Sequence, residues 1–227
     1  MKSSALRPCR LFIFDLDGTL IESRQDIALS LNLALTRMDL PTIQESRTAD
    51  FVGEGVQKLV ERALREVIGR EPESELVGSC IVLFREEYGR HLLDRTHLCH
   101  GVREALEHLT WANLAVVTNK PEGFSRRILQ GLGIRDRFCT ILGGDSVRKR
   151  KPDPEPLLKA MDASNASPSE TAMIGDSAVD IGAGKAAGVT TCGVLGGFRP
   201  REELEAAGCD LIIGNLLELP NHFQAPE

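Results

Sequence analysis

Two pairs of aspartates have a spacing suited to binding a divalent cation. Asp15 and Asp17 follow an apolar run at residues 11–14, and Asp176 and Asp180 lie four residues apart after another apolar run. Carboxylates this close repel each other unless a cation or a proton relieves the repulsion. Either pair alone also fits a turn at Asp-Gly or acids that complement a helix dipole. Together the pairs favour a site for Mg²⁺, which takes few carboxylates and completes its coordination with water and phosphate.

Two further polar clusters could bind an anion. Thr118 and Asn119 follow the apolar residues 114–117 and precede a proline, so a hydroxyl and the open amides of a helix N-terminus would coincide there. Such a cluster alone usually only caps a helix. The basic run at residues 148–151 would alone be a solvated loop, but the prolines after it stiffen the chain and would fix the direction of the Lys151 ammonium.

The elements that must position these clusters alternate between strands and helices. Short apolar runs predict strands at residues 11–14, 114–117, 140–142, 171–174 and 189–194. Helical patterns begin at Pro121, Pro154 and Ser177. This alternation predicts an α/β fold, a Rossmann-like parallel sheet with helices on both faces. Because ligands bind at the carboxyl ends of parallel strands, we expect the polar clusters at one edge of the sheet.

Residues from about 21 to 93 interrupt this alternation. They contain only helical periodicity, with apolar stripes such as Ile27, Leu31 and Leu35, and a further helix is predicted within residues 73–93. We therefore predict an all-helical cap domain at residues 21–94. It would be inserted into a Rossmann-like catalytic core formed by residues 1–20 and 95–227, as a lid over the site.

The form and order of the four clusters point to a known family. Asp15 to Thr19 reads D-x-D-x-T, Thr118 ends a strand, Lys151 precedes a proline, and residues 175–180 read G-D-x-x-x-D. In this order they resemble the motifs of the haloacid dehalogenase (HAD) superfamily of phosphohydrolases, and the resemblance covers the whole chain. Within that superfamily the chain is most similar to the bacterial phosphoglycolate phosphatases, on residues 51–64, 114–120 and 143–152.

The resemblance implies a catalytic role for residues of the first three motifs. Asp15 would be the nucleophile and would form an aspartyl phosphate, since a carboxylate needs no deprotonation at neutral pH. Asp17 would protonate the leaving oxygen and then activate the water that breaks the aspartyl phosphate. Thr118, Asn119 and Lys151 would bind the phosphoryl oxygens.

The resemblance also implies a resident cation, Mg²⁺. It would be held by Asp15, the backbone carbonyl of Asp17 and Asp176. Asp180 would support the site by orienting bound water or Lys151. The sequence leaves the choice between Mg²⁺ and Mn²⁺ open.

The predicted cap is expected to decide which substrate is used. Gly53 and Gly55 lie between two predicted helices, and glycines let a backbone approach a ligand closely, which suggests a substrate-binding loop. A simple turn between helices explains the two glycines equally well.

The resemblance implies a phosphatase for a small phosphomonoester, with 2-phosphoglycolate as the expected substrate. An amino-sugar 6-phosphate or pyrophosphate is the main alternative substrate. A sugar phosphomutase would keep the same motifs. A dehalogenase would not need Asp176 and Asp180, and a phosphate-binding module without activity would not need the full catalytic set.

Composition excludes several other classes of protein. Among 227 residues, Lys and Arg number 27 and Asp and Glu 33, and the net charge of −6 argues against a dedicated nucleic-acid binder. No apolar run approaches the roughly 18 residues of a membrane helix, so neither a membrane span nor a signal peptide is expected. Six scattered cysteines without a C-x-x-C pair predict free thiols and a cytoplasmic location. The oligomeric state is expected to be either a monomer or a homodimer.

Overall fold

Short strands are spread along nearly the whole chain, which a computed structural model describes from residue 6 to residue 226. In chain order the described strands are β1 (Arg7–Pro8), β2 (Leu11–Phe14), β3 (Ile21–Glu22), β4 (His97–Leu98), β5 (Asn113–Val117), β6 (Thr140–Leu142), β7 (Thr171–Gly175), β8 (Thr190–Val194), β9 (Leu211–Ile213) and β10 (Phe223–Gln224).

Six of these strands form a parallel sheet in the order β6-β5-β2-β7-β8-β9. Strand β2 lies inside it, with Leu11 opposite Asn113 of β5 and Thr171 of β7. All four residues of β2 are fully buried, as expected for an apolar strand covered on both faces. The predicted parallel sheet is confirmed.

The alternation of side chains along β2 divides the core into two faces. Leu11 and Ile13 belong to a cluster of buried residues that includes Leu157 and Ala183 from helices. Phe12 and Phe14 alternate with them, and Phe12 packs edge-on against Phe223 with ring centroids 5.2 Å apart. A strand apolar at every position is needed because both faces are covered.

Helices fill the intervals between the strands. They are α1 (Arg24–Thr36), α2 (Glu45–Phe51), α3 (Val56–Ile68), α4 (Ser74–Arg90), α5 (Val102–His108), α6 (Glu122–Gly131), α7 (Glu155–Ser164), α8 (Ala178–Ala187) and α9 (Arg201–Ala207). Three short 3₁₀ turns complete the set, at Arg135–Arg137, Pro168–Glu170 and Leu216–Asn221. In the part of the chain described, no helix is both long and apolar enough to cross a bilayer.

The chain divides into two compact units. One contains the six-stranded sheet with α5 to α9 and is built from the residues up to Glu22 and from Leu98 onward. The other is the segment Ser23–His97, which holds α1 to α4. The predicted boundaries after residues 20 and 94 lie two and three residues from these. The predicted core also includes residues 1–5 and 227, which lie outside the described residues.

The helical unit has its own core and a buried polar anchor. The predicted stripe of Ile27, Leu31 and Leu35 on α1 is buried. Asp26, at the start of this helix, is fully buried, and its carboxylate accepts hydrogen bonds from the backbone N–H groups of Arg95 and Thr96 and from the Thr96 hydroxyl, at 2.7–3.0 Å. These bonds tie the first and last segments of the unit together.

Most predicted elements are present, and the differences lie in short ones. All five predicted strands exist, as do the helices after Pro121, Pro154 and Ser177. The sequence analysis did not predict three helices of seven residues each, α2, α5 and α9, the three-residue edge strand β9, or the two-residue strands β1, β3, β4 and β10. Elements this short give too few positions for a clear period. Gly78 and Gly89 do not interrupt α4, which runs through both.

Candidate active site

The order of strands in the sheet determines which polar residues meet. Strands β5, β2 and β7 are neighbours, and Thr118, Asp15 and Asp176 are the first residues after their carboxyl ends. The backbone N–H of Asp15 donates to the Ile174 carbonyl at 2.9 Å, which extends the pairing of β2 with β7 by one residue. Three segments that are far apart in the sequence are therefore held side by side.

Three carboxylates converge at this edge of the sheet. Asp15, Asp176 and Asp180 each offer an oxygen, and these oxygens all lie within 4.8 Å of one another. The residues are 8%, 3% and 1% exposed, respectively. Such a group has the donor type and the burial that a hard divalent cation requires.

The electrostatics of the protein without a cation reflect this crowding. The pKa of Asp15 is raised to about 7. Burial is the largest cause, Lys151 opposes the rise, and the neighbouring charges of Asp180 and Asp17 add to it. Burial also raises the pKa of Asp176 well above its usual range, with further contributions from the charges of Asp180 and Asp15. Ionising these groups together is therefore unfavourable unless positive charge is supplied.

Lys151 supplies one positive charge. Its Nζ donates to Asp15 Oδ1 at 2.8 Å and to Asp180 Oδ1 at 2.6 Å, and the side chain is 1% exposed. Burial lowers the pKa of the Lys151 ammonium, but the charges and hydrogen bonds of the two aspartates raise it by more, so the net shift is upward. The predicted position of this lysine at the site is what the structure shows.

Helix α8 fixes the orientation of Asp180. The Asp180 carboxylate accepts the backbone N–H of Ser177 at 3.1 Å and the Ser177 hydroxyl at 2.6 Å through Oδ2, as part of a capping box. Its other oxygen, Oδ1, accepts Lys151. Because both oxygens already accept donors from the protein, Asp180 is better suited to holding Lys151 than to binding a cation directly.

Asp176 lies against backbone on two sides. Its Oδ2 accepts the backbone N–H of Phe198 at 2.6 Å. A Cβ placed on Gly18 or on Gly197 would overlap this carboxylate, and Gly18 has a φ of +85°. Only glycine allows both segments to come this close. Sequence analysis found Gly18 as part of a turn, but it gave no signal for residues 197 and 198, because a backbone contact such as that of the Phe198 N–H does not depend on the residue type.

Asp17 has a different partner, which sequence analysis missed. Lys120 Nζ lies 2.8 Å from Asp17 Oδ1 and 2.9 Å from Oδ2, and the two side chains are 5% and 10% exposed. The Asp17 side chain is not one of the three carboxylates that converge at the edge of the sheet. Lys120 directly follows Thr118 and Asn119 in the sequence. Its place in this polar cluster was the signal that could have identified it as a residue of the site.

Thr118 and Asn119 make hydrogen bonds within the segment that follows β5 and with the segment of Lys151. The Thr118 hydroxyl accepts the backbone N–H of Lys120 at 3.2 Å, and Asn119 Nδ2 donates to the Lys151 carbonyl at 3.0 Å. Gly144 lies close to the Asn119 carbonyl, and its N–H donates to the Lys120 carbonyl at 2.9 Å. The amide of Asn119 thus joins the second and third motifs, a contact that the spacing of residues could not indicate.

Gly53 and Gly55 belong to the helical unit. They lie between α2 and α3 with φ values of 116° and 90°, and Gly55 is the residue that precedes α3. The backbone there needs glycine in order to turn, as the simpler interpretation also requires. A substrate contact by this loop stays a prediction.

The carboxylate group predicts how metal binding depends on pH. A group whose pKa is raised by folding stabilises the protein below its unfolded value and loses that contribution as the pH rises through the folded value. Without Mg²⁺ the contribution of Asp15 to the melting temperature should therefore be lost as the pH rises from its ordinary pKa of 3.8 to its folded value of about 7. Mg²⁺ requires the deprotonated carboxylates, so it should raise the melting temperature more at pH 8 than at pH 6.

A matched pair of variants separates this effect from general titration. Asp176→Asn should raise the melting temperature of the metal-free protein at pH 8 and abolish its response to Mg²⁺. Asp50→Asn, at a side chain that is 56% exposed, should change neither. An equal effect of Mg²⁺ at both pH values, or a normal response in Asp176→Asn, would rule out this carboxylate group as the metal site.

Comparisons with known proteins identify the family and the fold of this chain. A family model described as haloacid dehalogenase-like hydrolase matches residues 12–194. A phosphoglycolate phosphatase from Nitrosospira multiformis is 33% identical over 219 residues, which are 96% of each chain. One from Vibrio vulnificus is 37% identical over 214 residues, covering 92% of this chain and 94% of the relative.

A solved structure gives the same result. The crystal structure of a predicted phosphoglycolate phosphatase from Haemophilus somnus matches with a TM-score of 0.86 and 32% identity, over 93% of this chain and 96% of that one. The family match spans most of the chain, and relatives above 30% identity cover nearly all of it. The resemblance inferred from the four motifs is therefore confirmed, and the chain belongs to the haloacid dehalogenase-like hydrolase family.

Proposed function

We propose that this protein is a Mg²⁺-dependent phosphatase that hydrolyses a small phosphomonoester, 2-phosphoglycolate, to glycolate and phosphate through an aspartyl phosphate on Asp15. The observation that carries the proposal is the buried contact of Lys151 with both Asp15 and Asp180, beside Asp176. It combines a nucleophilic carboxylate, a fixed cation and a carboxylate group suited to a metal within one hydrogen-bonded cluster.

The first half of the reaction uses Asp15 and Asp17. A carboxylate oxygen of Asp15 attacks phosphorus while the bond from phosphorus to the ester oxygen breaks. Asp17 gives a proton to the departing oxygen, which leaves as glycolate. In the second half, water attacks phosphorus, the bond to Asp15 breaks and Asp17 takes the proton from that water. Asp15 and Asp17 end as they began, and phosphate leaves.

Charge placement accounts for the remaining residues of the site. The transferring phosphoryl group offers mainly negative charge for recognition, so catalysis depends on alignment and electrostatic stabilisation. Lys151, held by two aspartates, is positioned to bind its oxygens, with Thr118 and the start of α6 on the adjacent segment. Asn119 supports this arrangement through the backbone of Lys151.

Mg²⁺ would be held by Asp15 and Asp176 together with the backbone carbonyl of Asp17. When bound, it would neutralise the charge shared by the nucleophile and the phosphoryl oxygens. Asp180 would hold Lys151 in place. The raised pKa values of Asp15 and Asp176 support the assignment, because these carboxylates are the groups that most need a cation.

The choice of substrate rests on the relatives. Proteins named phosphoglycolate phosphatase are 33–37% identical over more than nine tenths of this chain. We also propose that the helical unit acts as a cap whose Gly53–Gly55 loop contributes to substrate selection. The cytoplasmic location and the choice between monomer and homodimer stay predictions from the sequence.

A substrate panel tests the proposed function. We expect kcat/KM for phosphate release with Mg²⁺ to be highest for 2-phosphoglycolate, by about a hundredfold over sugar phosphates, amino-sugar phosphates, nucleotides and pyrophosphate. Preference for an amino-sugar phosphate or pyrophosphate would keep the mechanism and replace the substrate. Phosphoryl transfer between sugar hydroxyls would indicate a mutase, and no turnover of any substrate would indicate a binding module.

Replacing the nucleophile should stop the reaction. Asp15→Asn removes a charged oxygen that can attack phosphorus but keeps the size of the side chain, so no turnover of 2-phosphoglycolate should be detected. The measurement is phosphate release at high enzyme concentration, with circular dichroism to verify folding. Turnover within tenfold of the unsubstituted protein would mean that another residue is the nucleophile.

Removing the fixed cation should slow the chemical step. Loss of one preorganised donor typically costs about 2.7–4 kcal/mol, so Lys151→Ala should lower kcat by roughly 10²–10³-fold. Lys149→Ala is the matched control, since its side chain is 70% exposed and pairs with Asp153 on the surface. Near-normal kcat in a folded Lys151→Ala protein would contradict the role of Lys151.

A further inference from the structure

Lys120 places a second buried ammonium group at the site, and neither the motifs nor the mechanism above assigns it a role. It contacts both oxygens of Asp17 at 2.8 and 2.9 Å. The residue as a whole is 7% exposed. A buried ion pair of this kind is weak evidence for stabilisation, because the cost of removing two charges from water can exceed their attraction. Its place at the site calls for a functional explanation.

The two lysines mark two different sides of the proposed reaction. Lys151 contacts Asp15, the proposed nucleophile, and so lies on the phosphoryl side. Lys120 contacts Asp17, the proposed proton donor to the ester oxygen. The atoms bonded to that oxygen must pass beside Asp17, which brings the leaving group of the substrate next to the Lys120 ammonium.

From this arrangement we propose that Lys120 is a specificity-determining residue that binds an anionic substituent on the leaving group, a carboxylate one carbon away from the ester oxygen. The inference rests on the proposed function and names the feature of the substrate that the core recognises. The carboxylate of 2-phosphoglycolate is separated from its ester oxygen by a single methylene group, so it would come close to an ammonium group beside the proposed proton donor.

The backbone of Lys120 is fixed while its side chain has the reach to serve a ligand. Its N–H donates to the Thr118 hydroxyl at 3.2 Å, and its carbonyl accepts the Gly144 N–H at 2.9 Å. An ammonium has three N–H donors on a flexible four-carbon stem. It can therefore bridge Asp17 and a substrate carboxylate, which a residue with a single donor could not do.

The test compares two substrates in one variant. For Lys120→Met we expect the ratio of kcat/KM for 2-phosphoglycolate to that for ethyl phosphate to fall at least about tenfold, as expected for a lost hydrogen bond between charged groups. Ethyl phosphate has the same ester linkage but a methyl group in place of the carboxylate. Any loss of folded protein cancels in this ratio, so a destabilised variant still gives an answer.

Product inhibition provides an independent measurement. Against 2-phosphoglycolate, or p-nitrophenyl phosphate if turnover is slow, glycolate should inhibit Lys120→Met at least about tenfold more weakly than the unsubstituted protein. Inorganic phosphate would bind beside Lys151 and away from Lys120, so its inhibition of the variant should change much less. Lys120→Arg keeps the charge and should recover part of the lost selectivity, and Lys149→Met should leave the substrate ratio unchanged.

The possible outcomes separate this inference from the proposed function. If the unsubstituted protein does not prefer 2-phosphoglycolate, the proposed function fails before the variant is considered. If it does, but Lys120→Met lowers both substrates equally and leaves glycolate inhibition unaltered, Lys120 only supports Asp17 and the inference is wrong.

Discussion

The interaction on which the site depends is the repulsion among buried carboxylates at one edge of the parallel sheet. Asp15, Asp176 and Asp180 are gathered there, and the ammonium of Lys151 lies within hydrogen-bond distance of Asp15 and Asp180. When ionised, these three carboxylates carry three negative charges and Lys151 carries one positive charge, so two negative charges remain, which is the charge that one divalent cation neutralises. Burial, together with the charges of Asp180 and Asp15, raises the pKa of Asp176, and carboxylates perturbed in this way are concentrated at functional sites.

The sheet makes this cluster possible without deforming the rest of the core. Buried apolar strands hold β5, β2 and β7 side by side, so polar residues only have to appear at the point where each strand ends. Fine positioning then comes from backbone: the capping box of α8 fixes Asp180, and the Phe198 N–H together with Gly18 and Gly197 encloses Asp176. Electrostatic strain is thus confined to a few loops on a rigid apolar support.

Sequence alone predicted the parts of the molecule that have a local signal. Short apolar runs located five strands, and Ser177 located the start of α8. The missing parts depend on contacts between distant segments: the Lys120–Asp17 pair joins residues 103 positions apart, and Asn119 reaches the Lys151 carbonyl 32 positions away. Strand β9 and helices α2, α5 and α9 were missed because elements of three and seven residues give too few positions for a period to appear.

The placement of the two lysines also changes where substrate selection should be sought. Lys120 and Lys151 lie at the same edge of the sheet as Asp15 and Asp17, so the unit that contains the sheet could itself contribute to selection under the proposed function. In the proposed function, one ammonium lies beside the nucleophile and another beside the proton donor, an arrangement that fits a substrate with negative charge at both ends of a short chain. Under the same proposal the core selects for the distance between two anions, and the loop at Gly53 and Gly55 refines the choice by shape.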